Sequence, residues 1–297
     1  MDMRTILTRV IAATVLVLAG SACATSAGSE GARPQVVASF YPLYEAAVRV
    51  AGDRAEVTNL TPPGVEPHDL ELATDDVDLL EDADVIVYAG TGFQPGVEEV
   101  AERSDAVALD VLEGLSLLSS DEGQDPHVWL DPELMLEIVR RVESAMIQVD
   151  ADGALTYRRN ADAYADELLA LDAEFEEGLS NCARDTIVVS HDAFGYVASA
   201  YGLHQEAIAG LSPEAEADPA RLDELARVVE SEGVTTVFTE TLVSPELAET
   251  LAREVGVETS VLNPIEGLTE QQEAEGADYV SLQRENLAKL REALGCP

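Results

Sequence analysis

Lysine is almost missing from this chain. Lys289 is the only one, and together with the arginines it makes 17 basic residues against 58 acidic ones in 297, a formal net charge of −41. So few cations cannot form a basic surface, which excludes a nucleic-acid backbone as partner and charge-driven docking on an anionic membrane. Disorder is excluded as a general description, because apolar residues make up 46% of the chain. The apolar run Val10–Leu18 is too short for a permanent membrane span, which takes about 20 residues. There is no internal repeat, no G-x-S-x-G turn for a hydrolase nucleophile and no H-E-x-x-H zinc-protease motif. The acid excess itself reads as a solvated, self-repelling surface that salt must screen.

The first residues have the pattern of an export leader. Arg4 and Arg9 precede the apolar run, and Ala19, Gly20, Ser21 and Ala22 follow it before Cys23. The stretch LAGSAC resembles a lipobox, with Gly20 where an aliphatic residue is preferred. That resemblance implies removal of residues 1–22 and lipid attachment at Cys23, with 23–35 as a polar tether. The expected location is outside the cytoplasm, on the outer face of the cell membrane or in a periplasm. There a disulfide between the other two cysteines, Cys182 and Cys296, can persist; two separate buried thiols are the alternative. Neither has a close-spaced partner for a cysteine metal site.

Along the rest of the chain short apolar runs alternate with helical stretches, the signature of α/β layers with parallel sheets. Strands are expected at Val36–Phe40, Val57–Leu60, Val85–Tyr88 and Ala106–Leu109. A second set is expected at Thr186–Ser190, Ala207–Ala209, Val237–Thr239 and Glu258–Leu262. Between the sets lies Ala154–Gly178, a run with few breakers, long enough to link two lobes as one rigid helix. The expected organisation is a first lobe over 36–153, a linking helix over 154–180 and a second lobe over 181–297. Helix Pro132–Val149 has Asp131 as its N-cap, and helix Pro219–Glu232 has Asp218.

Only four histidines exist, so each can be weighed. His68 follows the second strand, His127 lies in a loop before the Pro132 helix, and His191 directly follows the TIVVS strand. Ligand sites in open α/β sheets favour the carboxyl ends of strands. His204 lacks such a setting. Three imidazoles and one oxygen suit tetrahedral zinc.

These residues sit in motifs that together resemble one family: the metal-binding lipoproteins of bacterial ABC importers for zinc and manganese, the cluster A-I solute-binding proteins. The motifs are VVASFYPLY (Val36–Tyr44), PHDLEL (Pro67–Leu72), DPHVWLDP (Asp125–Pro132), SHDAFGY (Ser190–Tyr196), GLSPEAEADP (Gly210–Pro219) and VFTETLVSP (Val237–Pro245). The resemblance implies two α/β lobes with mostly parallel sheets, a long rigid joining helix and a metal in the cleft. It implies His68, His127 and His191 as ligands, and a membrane permease and a divalent metal ion as partners of a monomer. A His rather than a Glu at position 191 marks the zinc type, and imidazole in place of carboxylate also favours Zn2+ over Mn2+; Fe2+ is a further guest.

Two departures follow. Where the family has an Asp in a motif resembling LDPLG, this chain reads VLNPIEG (Val261–Gly267), so Asn263 stands at the matching place and Glu266 three residues on. Asn263, Glu266, water or another acid can each complete the shell. The loop Leu117–Gln124 lacks the long His-rich insert of many zinc-type members, so no metal-collecting role is expected for it. Among Glu66, Asp69, Glu71, Asp125, Asp131, Asp192 and Glu240, the favoured hydrogen-bond partner for a ligating imidazole is Glu240, at the end of a strand. Trp129 either walls the site or is core. The rival functions are a manganese or iron importer component, a surface adhesion protein and, less in keeping with the motifs, a zinc hydrolase.

Overall fold

Alternate residues of each central strand face opposite layers. Val36, Ala38, Val85, Val87, Ile187, Val189 and Phe238 share one core, while Val37 and Ile86, or Val188 and Val237, enter two others. Both faces of each sheet are therefore buried, as parallel sheets require. The structure, a computed structural model, describes residues 33–120, 122–213 and 219–297. The expected leader, the expected lipid attachment at Cys23 and the expected Asp218 cap lie outside the described residues.

The first lobe runs β1 (Gln35–Ala38), α1 (Tyr41–Ala51), β2 (Glu56–Asn59), α2 (Thr74–Glu81), β3 (Val85–Tyr88), α3 (Pro95–Arg103) and β4 (Val107–Asp110). A hairpin, β5 (Ser119–Ser120) and β6 (Gly123–Gln124), leads to α4 (Pro132–Val149). The sheet order is β2-β1-β3-β4, with every pair parallel. After α5 (Ala154–Leu179) come β7 (Thr186–Val189), α6 (Gly195–Tyr201), β8 (His204–Ala207), α7 (Pro219–Glu232), β9 (Thr236–Thr239), α8 (Glu246–Val255), β10 (Glu258–Val261), α9 (Glu270–Glu275) and α10 (Tyr279–Leu294). The second sheet, β10-β9-β7-β8, is again parallel throughout.

Two outer layers close the far faces: α2 and α3 on the first sheet, α7 and α8 on the second. The inner layer is one continuous core. It joins α1, α4, α5, α6 and α10 to the inner faces of both sheets. Helix α5, 26 residues and about 39 Å long, buries Tyr157, Ala161, Tyr164, Leu168, Leu171 and Phe175 along one stripe. It touches α1 and α4 on the first side and α6 and α10 on the second. Hinge bending would tear this shared core, so the lobes are not free to swing. Cys182, after α5, and Cys296, after α10, form a disulfide across 114 residues. Among the described residues no helix is long and apolar enough to cross a membrane.

One local expectation needs correction, and two small elements add to the others. The strand expected at Ala207–Ala209 is β8, His204–Ala207, a polar edge strand whose HQEA sequence hides it. The loop over 117–124 contains a small hairpin. Helix α9 was not anticipated; its sequence EQQEAE has no apolar stripe, and a Thr269–Gln272 capping box holds it.

Candidate metal centre

Loops that follow β2, β7 and β10 in the two parallel sheets, and the loop after β6, bring His68, His191, Glu266 and His127 together. His68 lies just beyond β2, in a single 3-10 turn over Pro67–Asp69. Glu66 caps that turn, accepting from the His68 main-chain N–H at 2.9 Å. His191 lies two residues past β7. One oxygen of Glu240, which follows β9, accepts from its main-chain N–H at 3.1 Å and meets its Nδ1 at 2.7 Å. His127 is gripped in the same way from within its own loop: Asp125 Oδ1 takes its main-chain N–H at 2.9 Å and Nδ1 at 2.7 Å. A carboxylate on Nδ1 places the proton there and turns the lone pair of Nε2 toward the cleft.

Glu266 arrives on the loop after β10. Asn263 Oδ1 accepts from the Ile265 N–H at 2.8 Å, and Ile265 adopts φ +56°, a region that β-branched residues rarely enter. The Trp129 indole N–H fixes the same loop through the Pro264 carbonyl at 2.9 Å. Ile265 itself is fully buried. This kinked, pinned loop aims Glu266 inward.

The donors sit at the spacing that a metal imposes. Glu266 Oε1 is 3.2 Å from His127 Nε2, 3.3 Å from His191 Nε2 and 3.5 Å from His68 Nε2. The His127 and His191 Nε2 atoms are 3.3 Å apart, and all four donor atoms lie within 4.8 Å of one another. Ligands about 2.0 Å from a tetrahedral zinc are separated by about 3.3 Å. Glu266 Oε1 and His68 Nε2 are both buried and make no hydrogen bond, which suits ligands of an ion. Phe93 packs on His68 with ring centres 4.4 Å apart, and Trp129 on His127 at 5.1 Å. Trp129 is thus both wall and core.

Charge and burial compete here. Burial opposes the Glu266 carboxylate, yet His191, His127 and His68 hold its pKa well below the usual range. Burial likewise opposes the imidazolium of His191, but Glu240 and Glu266 leave its pKa well above the ordinary value; Asp125 and Glu266 raise that of His127. Burial, then Glu266, push the Glu66 carboxyl up to about 9. Protons on the imidazoles can balance the buried carboxylate, and a dication can replace them.

The Asn263 side-chain oxygen is engaged elsewhere, accepting from the Ile265 N–H in its own loop and from the Thr241 hydroxyl in the loop after β9. Of the acids weighed from the sequence, Glu240 and Asp125 hold imidazoles and Glu66 caps the His68 turn. Asp131 caps α4, accepting from the Glu133 and Leu134 N–H groups. Asp192 Oδ1 engages Gln205, and Asp69 and Glu71 are exposed. The role of Asp125 was not singled out, although a D-P-H spacing that lets one carboxylate reach both main chain and ring was the available signal. His204 is exposed on edge strand β8.

The comparisons with known proteins agree with this geometry. The family model described as zinc-uptake complex component A, periplasmic (ZnuA), matches residues 36–293. The zinc-binding lipoprotein AdcA of Streptococcus pneumoniae is 36% identical over 289 residues, covering 91% of this chain and 58% of that protein. The chain thus spans little more than half the length of that relative. The high-affinity zinc uptake system protein ZnuA of Bacillus subtilis is 33% identical over 306 residues, covering 96% of each. The crystal structure of the Zn(II)-bound ZnuA-like domain of the S. pneumoniae AdcA superposes with TM-score 0.78 at 37% identity, covering 88% of this chain and 99% of that one.

Proposed function

Because the chain belongs to the zinc-uptake component A family, we propose that it captures zinc outside the cytoplasm and delivers it to the membrane permease of an ABC importer. The observation that carries this reading is the placement of Glu266 Oε1 within 3.2–3.5 Å of three imidazole nitrogens from separate loops. His68, His127, His191 and Glu266 are the four ligands, and Asp125 and Glu240 hold two of the rings in register.

Three nitrogens and one oxygen favour zinc over manganese, which prefers oxygen-rich octahedral sites. Four protein donors close a tetrahedral shell, whereas a catalytic zinc keeps a position open for water. That suits reversible cargo binding and no turnover. The shared inner core keeps the lobes in place, so capture and release proceed by movement of ligand loops. His68 is the most exposed of the four, at 10% of its side chain against 3% for Glu266 and none for the other two rings, so in this reading an arriving ion meets it first. In this reading residues 1–22 are removed and Cys23 carries the lipid that tethers the protein near its permease.

Elemental analysis of protein purified without chelator tests the reading. One zinc per chain is expected, falling to a small fraction in Glu266→Ala. Zinc content that is negligible in the wild type, or unchanged in the variant, would contradict it. His191→Glu is the comparator for metal choice, expected to move the preference toward manganese.

A further inference from the structure

The hairpin before His127 is propped open at its base by a side chain from the other lobe. In an antiparallel hydrogen-bonded pair, two facing residues exchange both main-chain bonds. At Leu118 and Asp125 one bond is made, from the Asp125 N–H to the Leu118 carbonyl at 2.9 Å. In place of the reciprocal bond stands the hydroxyl of Tyr196, on α6. It accepts from the Leu118 N–H at 3.0 Å and donates to the Asp125 carbonyl at 2.7 Å. Tyr196 is 5% exposed, so the bridge is shielded from water. Asp125, held on one side by Tyr196, grips His127 on the other at two points.

A second contact crosses between the lobes at the tip of the hairpin. Glu122 Oε2 accepts from the Leu211 N–H at 2.8 Å. A Cβ at Gly210 would collide with that carboxylate. The Gly210 carbonyl accepts from the Asp192 N–H, one residue past His191. The hairpin is therefore tied to the second lobe beside both buried histidines.

We propose that Tyr196 is a positioning residue for metal retention, coupling the second lobe to the orientation of His127 through Asp125. The base of the hairpin has two satisfied arrangements. With the hydroxyl inserted, Leu118 and Asp125 are bridged by Tyr196; with it withdrawn, the Leu118 N–H and Asp125 carbonyl become partners for each other, and Asp125 shifts with the closing rung. Loss of the hydroxyl frees His127 from its aim, so the ion leaves faster.

This inference rests on the metal-capture reading, and one experiment separates the two. Zinc-loaded wild type and Tyr196→Phe are challenged with excess chelator, and the dissociation rate is followed. Phe keeps the packing and removes only the bridge, so an acceleration of about tenfold or more is expected, the scale of one or two lost hydrogen bonds. Cobalt(II)-loaded Tyr196→Phe is expected to show shifted visible bands, reporting an altered ligand arrangement. Leu251→Ala, on the buried face of α8 in the outer layer, is expected to lower stability and leave rate and bands unchanged. A Tyr196→Phe rate within twofold of wild type with an unshifted cobalt spectrum would overturn the inference while leaving metal capture intact. Failure of the wild type itself to bind zinc would overturn both.

Discussion

His127 and His191 are each gripped twice by one carboxylate oxygen, at the main-chain N–H and at Nδ1, and neither ring is exposed. His68 sits on a single turn held at its main chain by Glu66, and 10% of its side chain is exposed. The site thus has a preorganised half, built from the loops after β6 and β7, and a more accessible corner beyond β2. The difference separates holding from exchange. In the proposed reading the buried pair sets how tightly an ion is held, and the ring at the more accessible corner is the first to let go.

Removing the two kinds of histidine should separate these roles most strongly. His127→Ala or His191→Ala is expected to weaken zinc binding by roughly a hundred- to a thousandfold, since four ligands share a binding free energy of about 10–16 kcal/mol. His68→Ala is expected to cost about tenfold less than either and to speed dissociation. Competition titration against a chromophoric chelator reads the affinities. Equal losses at all three positions would erase the distinction.

The outer carboxylates sharpen the comparison. Asp125→Asn and Glu240→Gln are each expected to cost roughly 10–100-fold in affinity, because the proton on Nδ1 loses its charged partner. Glu66→Gln is expected to change affinity by less than about threefold. With its pKa pushed up to about 9 by burial and Glu266, Glu66 is already neutral at pH 7, and an amide keeps an oxygen for the His68 N–H. The same titration decides; a large effect of Glu66→Gln would mean that its charge is used.

Protons provide the next test. Burial favours neutral rings, but Asp125, Glu240 and Glu266 raise the pKa values of His127 and His191 above the ordinary value, about 6.5 for a free imidazole. Zinc binds the neutral ring at Nε2, so the ion must displace any proton there, and acid returns it. Affinity should therefore fall as pH falls, starting above about pH 6.5, with protons released as zinc binds. Glu266, with its pKa held well below the usual range, stays ionised throughout. Calorimetry in buffers of different ionisation enthalpy counts the protons. Affinity that stays flat down to pH 6 would contradict the assignment.

The smallest effect on metal is expected from the disulfide. Reducing Cys182–Cys296 opens a loop closed over 114 residues and should lower stability by on the order of 4 kcal/mol. It should leave zinc affinity within twofold, because the bridge lies beyond the ends of α5 and α10. Thermal unfolding and zinc titration with and without reductant check both halves of this expectation.

Much of the fold was legible because its signals are local. Helix α1 follows an apolar strand and carries Pro42 at its start; α10 opens on Asp278 and ends at Gly295. The central strands are short apolar runs because both faces are buried. Edge strand β8 was displaced because His204, Gln205 and Glu206 carry no apolar pattern, and two-residue strands such as β5 and β6 have no periodicity to read. Three ligand positions could be nominated because the histidines are few and lie at loop positions. The choice between Asn263 and Glu266 could not be made from spacing. It depends on the backbone reversal at Ile265, which turns one side chain into its own loop and the other into the cleft.

Zinc K-edge absorption of the loaded protein tests the central claim most directly. A shell of three imidazole nitrogens and one carboxylate oxygen, at about 2.0 Å, is expected, with one imidazole lost from the pattern in His68→Ala. A spectrum with fewer than three imidazoles in the wild type, or one unchanged by that substitution, would contradict it.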